Sequence, residues 1–155
     1  VWINFFLRNF YTPEISPGHI LARQAMRIKG SALASRFDCR LHSMDQPISQ
    51  LSGGNQQKVI LAREVEANPQ LLIVMQPTKG LDVGAIEFVQ KLLVEQRDAG
   101  TAILYISTEL EQVLEVADRV AVMYRGRITG ELDRKHVSAD RVGMLMSGIA
   151  PEEVQ

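Results

Sequence analysis

From Leu51 onward, short apolar runs alternate with helix-length amphipathic segments, and this alternation limits the possible folds more than any other feature of the chain. The pattern predicts a helix over about Gly54–Ala67 and then an apolar strand, Leu71–Met75. The turn Pro77–Thr78–Lys79–Gly80 leads into a second helix over about Gly84–Asp98. Gly100 stands just past its end, where a left-handed residue closes a helix, and Thr101–Ser107 reads as the next strand. A short helix, Glu109–Val116, precedes a strand, Arg119–Tyr124, which returns through Arg125–Gly126 into Arg127–Leu132 as a β-hairpin. A last helix is predicted near Ala139–Ser147. Strands separated by helices need crossover connections, so the expected class is α/β with a mainly parallel sheet and flanking helices. Such sheets bind ligands beyond the carboxyl ends of their strands. Met75–Gln76 and Ser107–Thr108 occupy those positions.

Val1–Gln50 has a less regular texture, punctuated by Pro13, Pro17 and Pro47. One helix is predicted over roughly Gly18–Arg36, with Ile20, Leu21, Met26, Ile28 and Leu33 as its apolar stripe. The opening, with Trp2, Phe5, Phe6, Phe10 and Tyr11, reads either as a surface for a partner or as a segment separated from its neighbours, and therefore as an exposed apolar patch. Because the chain begins at Val1 on an apolar stretch, it is expected to be a fragment. The expected organisation is a remnant and helical subdomain over 1–50, the regular α/β part over 51–149, and a tail over 150–155.

Composition narrows the function classes. Hydrophobic residues make up 46% of the 155 and charged ones 23%, enough for a packed core without disulfides. A formal charge of −1 argues against a mainly electrostatic grip on nucleic acid. The single cysteine, Cys39, cannot form an internal disulfide, and His19, His42 and His136 are scattered without metal-ligand spacing, so no metal site is expected. Apolar runs such as Leu71–Met75 are five residues long, far short of the roughly 20 that span a bilayer.

Leu51–Ser52–Gly53–Gly54–Asn55–Gln56–Gln57–Lys58 carries the strongest chemical signal. Ser52 is a good N-cap, and the two glycines let a ligand approach the backbone without Cβ interference. The helix behind them presents unpaired N–H groups and the positive end of its dipole, an arrangement suited to phosphate. Over Ser-Gly-Gly alone, a turn that merely starts a helix would look the same.

The wider string, running on into Leu61–Ala62–Arg63–Glu64, closely resembles the signature segment of ATP-binding cassette (ABC) proteins. Leu71–Met75 with Gln76–Pro77–Thr78 resembles the Walker B strand and its loop, and Gly80–Leu81–Asp82 the D-loop. Ser107–Thr108–Glu109–Leu110 lies where the switch-histidine segment belongs, and Ala117–Gly130 is similar to the terminal hairpin of a cassette. Residues 76–87 are most similar to the second cassette of the tandem ATPase subunits that serve nucleoside and simple-sugar importers. The resemblance implies a partial P-loop NTPase fold and ATP with Mg²⁺ as cofactors of the intact assembly. It also implies a head-to-tail pairing with a second cassette, permease subunits, and indirectly a substrate-binding protein, at the cytoplasmic face of the membrane.

The departures from that family are as informative as the matches. No Gly-Lys pair occurs anywhere, so the phosphate loop is missing and the isolated chain is expected to bind ATP poorly and to be inactive. Where the family has a Walker B aspartate and a catalytic glutamate, this chain has Met75 and Gln76. A thioether is no ligand for a hard cation, and an amide cannot accept water's proton. Thr108 replaces the switch histidine. Gln76 and Thr108 are thus degenerate catalytic positions, while Ser52, Gly53, Gly54 and Gln56 would reach a nucleotide held by the partner cassette. Met75 reads equally as a core residue ending a buried strand. Asp82 reads either as a residue of the cassette seam or as the cap of the following helix. Lys79 reads as a solvated turn lysine, and Arg63 and Glu64 as a helix surface with local ion pairing. Two other readings remain open: a non-catalytic truncated cassette that only dimerises or docks, and a soluble ABC protein outside transport.

Overall fold

The computed structural model describes residues 1–149, so the tail expected over 150–155 lies outside the described residues. Packing divides the chain into two units, 1–104 and 105 onward.

The first unit opens with a short helix α1 (Trp2–Phe5). It continues into α2 (Arg23–Arg36), α3 (Gly53–Glu66), strand β1 (Leu71–Met75) and α4 (Val83–Asp98). Helix α1 packs against both α2 and α3, and α2 also packs on α3, so residues 1–50 share one packed body with the helix that begins at Gly53. Phe5 and Phe6 are buried, at 0% and 3% exposure, which corrects the expected exposed aromatic patch; of that group Tyr11 is the one left bare. Two helices close around the apolar edge of α1 and leave those rings no route to solvent. Arg8 reaches Glu64 of α3 at 2.7 Å, and Arg36 reaches Glu66 at 3.1 Å.

Helix α2 begins five residues later than predicted. Gly18 adopts φ +60 within a separate 3₁₀ turn, Pro17–His19, and Ile20 is extended. Its buried face is Met26, Gly30, Leu33 and Ala34, while Ile20 and Ile28 of the predicted stripe face solvent. Gly30 serves close packing here, since a Cβ at that position would lie 2.7 Å from the Met44 methyl and 3.6 Å from Phe5.

Strand β1 alternates strictly, with Leu72 and Val74 buried and Leu71, Ile73 and Met75 outward. Met75 is 73% exposed, which corrects its reading as a core residue. The helices bury one face of the strand, and the pleat sends every second side chain to the other. Strand β2 (Ala102–Ile106) pairs with β1 in a two-stranded parallel sheet. Between them α4 ends as predicted. The Gly100 N–H donates to the Arg97 carbonyl at 2.9 Å and the Thr101 N–H to that of Gln96 at 3.0 Å, with Gly100 at φ +97.

The second unit contains α5 (Leu110–Val116), the antiparallel hairpin β3 (Arg119–Tyr124) and β4 (Arg127–Asp133), and α6 (Ala139–Met146). Arg125 and Gly126 both have positive φ, 46 and 78, as a two-residue turn matched to strand twist requires. The pairing slips between Val122 and Met123, so Thr129 is an extra residue; its hydroxyl lies 3.2 Å from the Val122 carbonyl and 3.0 Å from that of Leu145. Val120, Val122, Leu132, Val142 and Leu145 form the core of this unit. The expected sheet is thus present as one parallel pair and one antiparallel hairpin.

Cys39 follows α2, with Sγ 3.9 Å from the Phe37 carbonyl. Burial pushes its thiol up to about 11, against the opposing pull of Lys58 and with a further push from Asp38. Thiolate is the reactive species, so alkylation by iodoacetamide at pH 8 should run roughly 100-fold or more slower in the folded chain than in urea. A reaction at the unfolded rate would contradict this burial.

Candidate functional site

The amino end of α3 is where the predicted binding residues meet. Ser52 is the N-cap, its Oγ accepting the Asn55 backbone N–H at 3.4 Å. A Cβ placed on Gly53 would meet nothing within 4 Å. No packing inside the unit therefore requires glycine there, and the open space in front of it is available to an incoming group. Gly54 differs: its hypothetical Cβ comes to 3.5 Å from that of Ala85, an ordinary contact with the first turn of α4. The amino ends of α3 and α4 are therefore neighbours. Asp82 caps α4, its Oδ1 accepting the Ala85 N–H at 2.9 Å, so the capping reading of this residue holds. A role at a seam between cassettes stays an expectation.

The reach of Gln56 to a partner's nucleotide stays an expectation. Its Nε2 donates to the Leu51 carbonyl at 2.9 Å and so turns back toward its own chain. Asn55, which sequence reasoning missed, takes the prominent place. Its Nδ2 donates to Ser52 Oγ at 3.0 Å while its Oδ1 accepts the Arg40 backbone N–H at 2.8 Å. The available signal was its type and place, a short amide three residues after a serine cap.

One turn along α3, Lys58 binds the Asp38 carbonyl at 3.0 Å and its carboxylate at 2.6 Å, and lies 4.7 Å from the centre of the Phe88 ring. The hydrogen bond from Lys58 holds the Asp38 carboxyl below its ordinary value, and the attraction of the two charges adds to the effect. With its side chain only 11% exposed, Lys58 ties the end of α2 and the flank of α4 to α3. The helix that carries the tip is thereby fixed on two sides.

Gln76 follows β1 directly, and it takes φ +51 even though Pro77 comes next. A left-handed residue other than glycine costs about 1–2 kcal/mol, and a following proline favours an extended backbone instead. Strain of this kind gathers at ligand sites and turns. Thr108 lies in the second unit, where the N–H of the adjoining Glu109 donates to Ser107 Oγ at 3.0 Å. Lys79 is exposed, as are His42 and His136. Arg63 and Glu64 pair with each other at 2.8 Å, but Glu64 is also engaged by Arg8, so this is more than a helix surface. Burial raises the Glu64 carboxyl, yet hydrogen bonds from Arg8 and Arg63 outweigh it and leave the group below its ordinary value.

The donor set fits a phosphate at the α3 tip and does not fit Mg²⁺. A serine hydroxyl, an open glycine and helix N–H groups suit an anion. At the end of β1, Met75 and Gln76 offer a thioether and an amide, neither of them the carboxylate that a hard cation favours. No group of three or more His, Cys, Asp or Glu side chains gathers as a metal site among the described residues. No helix among them is long and apolar enough to cross a membrane.

No protein-family model matches the chain. Curated relatives match nearly all of it. The guanosine import ATP-binding protein NupO of Bacillus subtilis is 43% identical over 150 residues, 97% of this chain and 29% of the relative. The nucleoside import ATP-binding protein NupA of Lactococcus lactis is 44% identical over 145 residues, 94% of this chain and 29% of the relative. The glucose import ATP-binding protein TsgD13 of Haloferax volcanii is 36% identical over 147 residues, 94% of this chain and 27% of the relative. The chain thus spans less than a third of the length of these relatives. Among solved structures, the ATP-binding cassette MJ0796, in a dimeric post-hydrolysis state bound to ADP and Pi, matches with a TM-score of 0.64 at 20% identity. That match covers 78% of this chain and 52% of the other. Relatives along nearly the whole sequence and the cassette fold of the matched structure agree on one assignment: the chain is part of an ABC-type ATP-binding cassette.

Proposed function

We propose that this chain serves within the ATP-binding subunit of an ABC importer for a nucleoside or simple sugar. In this reading it belongs to the second cassette and offers its α3 tip to ATP held by another cassette. The observation that carries the proposal is the build of that tip: a capped helix end with Ser52 exposed, open space before Gly53, and an anchored helix behind. Ser52 and the first N–H groups of α3 would bind the terminal phosphate oxygens, and Gly53 would leave room for them. ATP supplies the free energy of its hydrolysis to the assembly. The chain's own residues bind and orient.

The chain's own strand ends have a different role. Gln76 can hold a water by hydrogen bond but cannot take its proton, and Thr108 cannot carry positive charge near neutral pH. The proposal is therefore asymmetric: a complete contribution to the neighbour's nucleotide, and a poor hydrolytic site of its own. Membrane attachment would be peripheral, through permease subunits.

The test uses the full-length import ATP-binding protein that carries this chain, with an ATP analogue bearing a photoreactive group on its γ-phosphate. Under conditions that trap nucleotide, label should appear in the peptide containing Ser52–Lys58. Label confined to other peptides of the protein would refute the placement of the tip.

A further inference from the structure

We propose that Asn55 is a positioning residue whose side-chain amide sets the direction of the Ser52 hydroxyl, so that the α3 tip presents an O–H rather than lone pairs to a phosphate. This inference rests on the reading that the tip faces a nucleotide.

A serine hydroxyl carries one hydrogen to donate and two lone pairs to accept with. An ordinary N-cap uses one lone pair for a backbone N–H and leaves the hydroxyl free to turn. Ser52 Oγ instead accepts two hydrogens, from the Asn55 backbone N–H at 3.4 Å and from Asn55 Nδ2 at 3.0 Å. With both lone pairs engaged, what the exposed oxygen has left to offer is its hydrogen. An ionised phosphate oxygen only accepts, so this is the polarity such a ligand needs.

The amide cannot reverse. Asn55 Oδ1 accepts the Arg40 backbone N–H at 2.8 Å, and a flipped amide would set two donors against each other there. The Arg40 segment is itself held, because Lys58, three residues further along α3, grips both the carbonyl and the carboxylate of Asp38. Two side chains of one helix thus fix a loop, and the loop fixes the amide that aims the serine. A donor aimed before the ligand arrives needs no reorganisation on binding, which is where oriented hydrogen bonds gain most of their effect.

The experiment is a double-mutant cycle in the full-length import ATP-binding protein, with Ser52→Ala, Asn55→Ala and the pair, read as ATP hydrolysis rate. Ser52→Ala should lower the rate about 10- to 100-fold, the range for loss of a hydrogen bond to a charged group, and Asn55→Ala about tenfold. In the Ser52→Ala background, Asn55→Ala should change the rate less than about twofold, because its target is already gone. Asn55→Asp should keep the bond from Arg40 yet be at least as harmful as Asn55→Ala, since a carboxylate would take the Ser52 hydrogen for itself. An equal loss from Asn55→Ala in both backgrounds would mean that Asn55 only supports the helix, and would overturn this proposal alone. No loss from Ser52→Ala would overturn the nucleotide-facing reading and the proposal with it. A general loss of stability appears in both backgrounds alike, so it cannot mimic the expected coupling.

Discussion

On the proposed reading, replacing Ser52 by arginine in the full-length protein should lower ATP-driven uptake and hydrolysis by about 100-fold or more, a barrier increase of roughly 2.7 kcal/mol. Gln76→Ala in the same protein should change either by less than about threefold, because an amide that takes no proton contributes little as a base. The contrast arises from the different contacts of the two residues. At Ser52 the substitution removes the oxygen that accepts both Asn55 donors. It also drives a long side chain into the space that Gly53 leaves empty. Loss of the cap accounts for only about 1 kcal/mol of helix stability. A folded protein with no activity is therefore the expected result, and a melting temperature within a few degrees of wild type should accompany it. Uptake and hydrolysis are measured on the two variants side by side. Equal damage from both would show that Gln76 does catalytic work despite its chemistry, and the asymmetric reading would fall.

How far the sequence alone reaches can be judged from particular elements. Leu71–Met75 and Arg119–Tyr124 are strands over the predicted residues, because a five- or six-residue apolar run bounded by turn residues has few other places to go. Helix α4 ends where Gly100 said it would. The amino-terminal half was harder to read. The buried face of α2 runs through Gly30 and Ala34, which carry no hydrophobic signal, while the conspicuous Ile20 and Ile28 are bare. Close approach of helices selects small residues, and periodicity of large ones cannot see it. Phe5 and Phe6 are core residues only because α2 and α3 come to them from 20 to 60 positions away, which is tertiary information.

The site shows the same division. Ser52 as a cap and Asp82 as a cap follow from residue type and position. Gln56 and Asn55 did not separate in the sequence, since adjacent amides on a helix point about 100° apart and which one faces the loop depends on where Arg40 lies. The strain at Gln76 could not be read either, because Gln-Pro in sequence favours an extended backbone and only the turn after β1 imposes φ +51.

In the second unit the largest stability effect should come from Gly148→Ala, at about 3 kcal/mol. Gly148 closes α6 in a left-handed conformation, φ +87, with its N–H donating to the Leu145 carbonyl at 3.1 Å and that of Ile149 to Met144 at 3.2 Å. A Cβ there would sit 2.6 Å from the Tyr124 ring, which is rigid and cannot bend aside as an aliphatic chain end does. Two costs therefore add, backbone strain of about 1–2 kcal/mol and overpacking of about 1–3 kcal/mol. They are separable, because Tyr124→Ala removes the ring and leaves the strain. Hydrogen exchange at the Val122 and Leu145 amides reads the opening free energy of this unit directly. Gly148→Ala should lower that free energy by about 3 kcal/mol in the wild-type background, but by only about 1 kcal/mol when Tyr124→Ala is the reference. If both backgrounds lost the same amount, the ring would not be the obstacle, and Tyr124 would not pack over the end of α6 in solution.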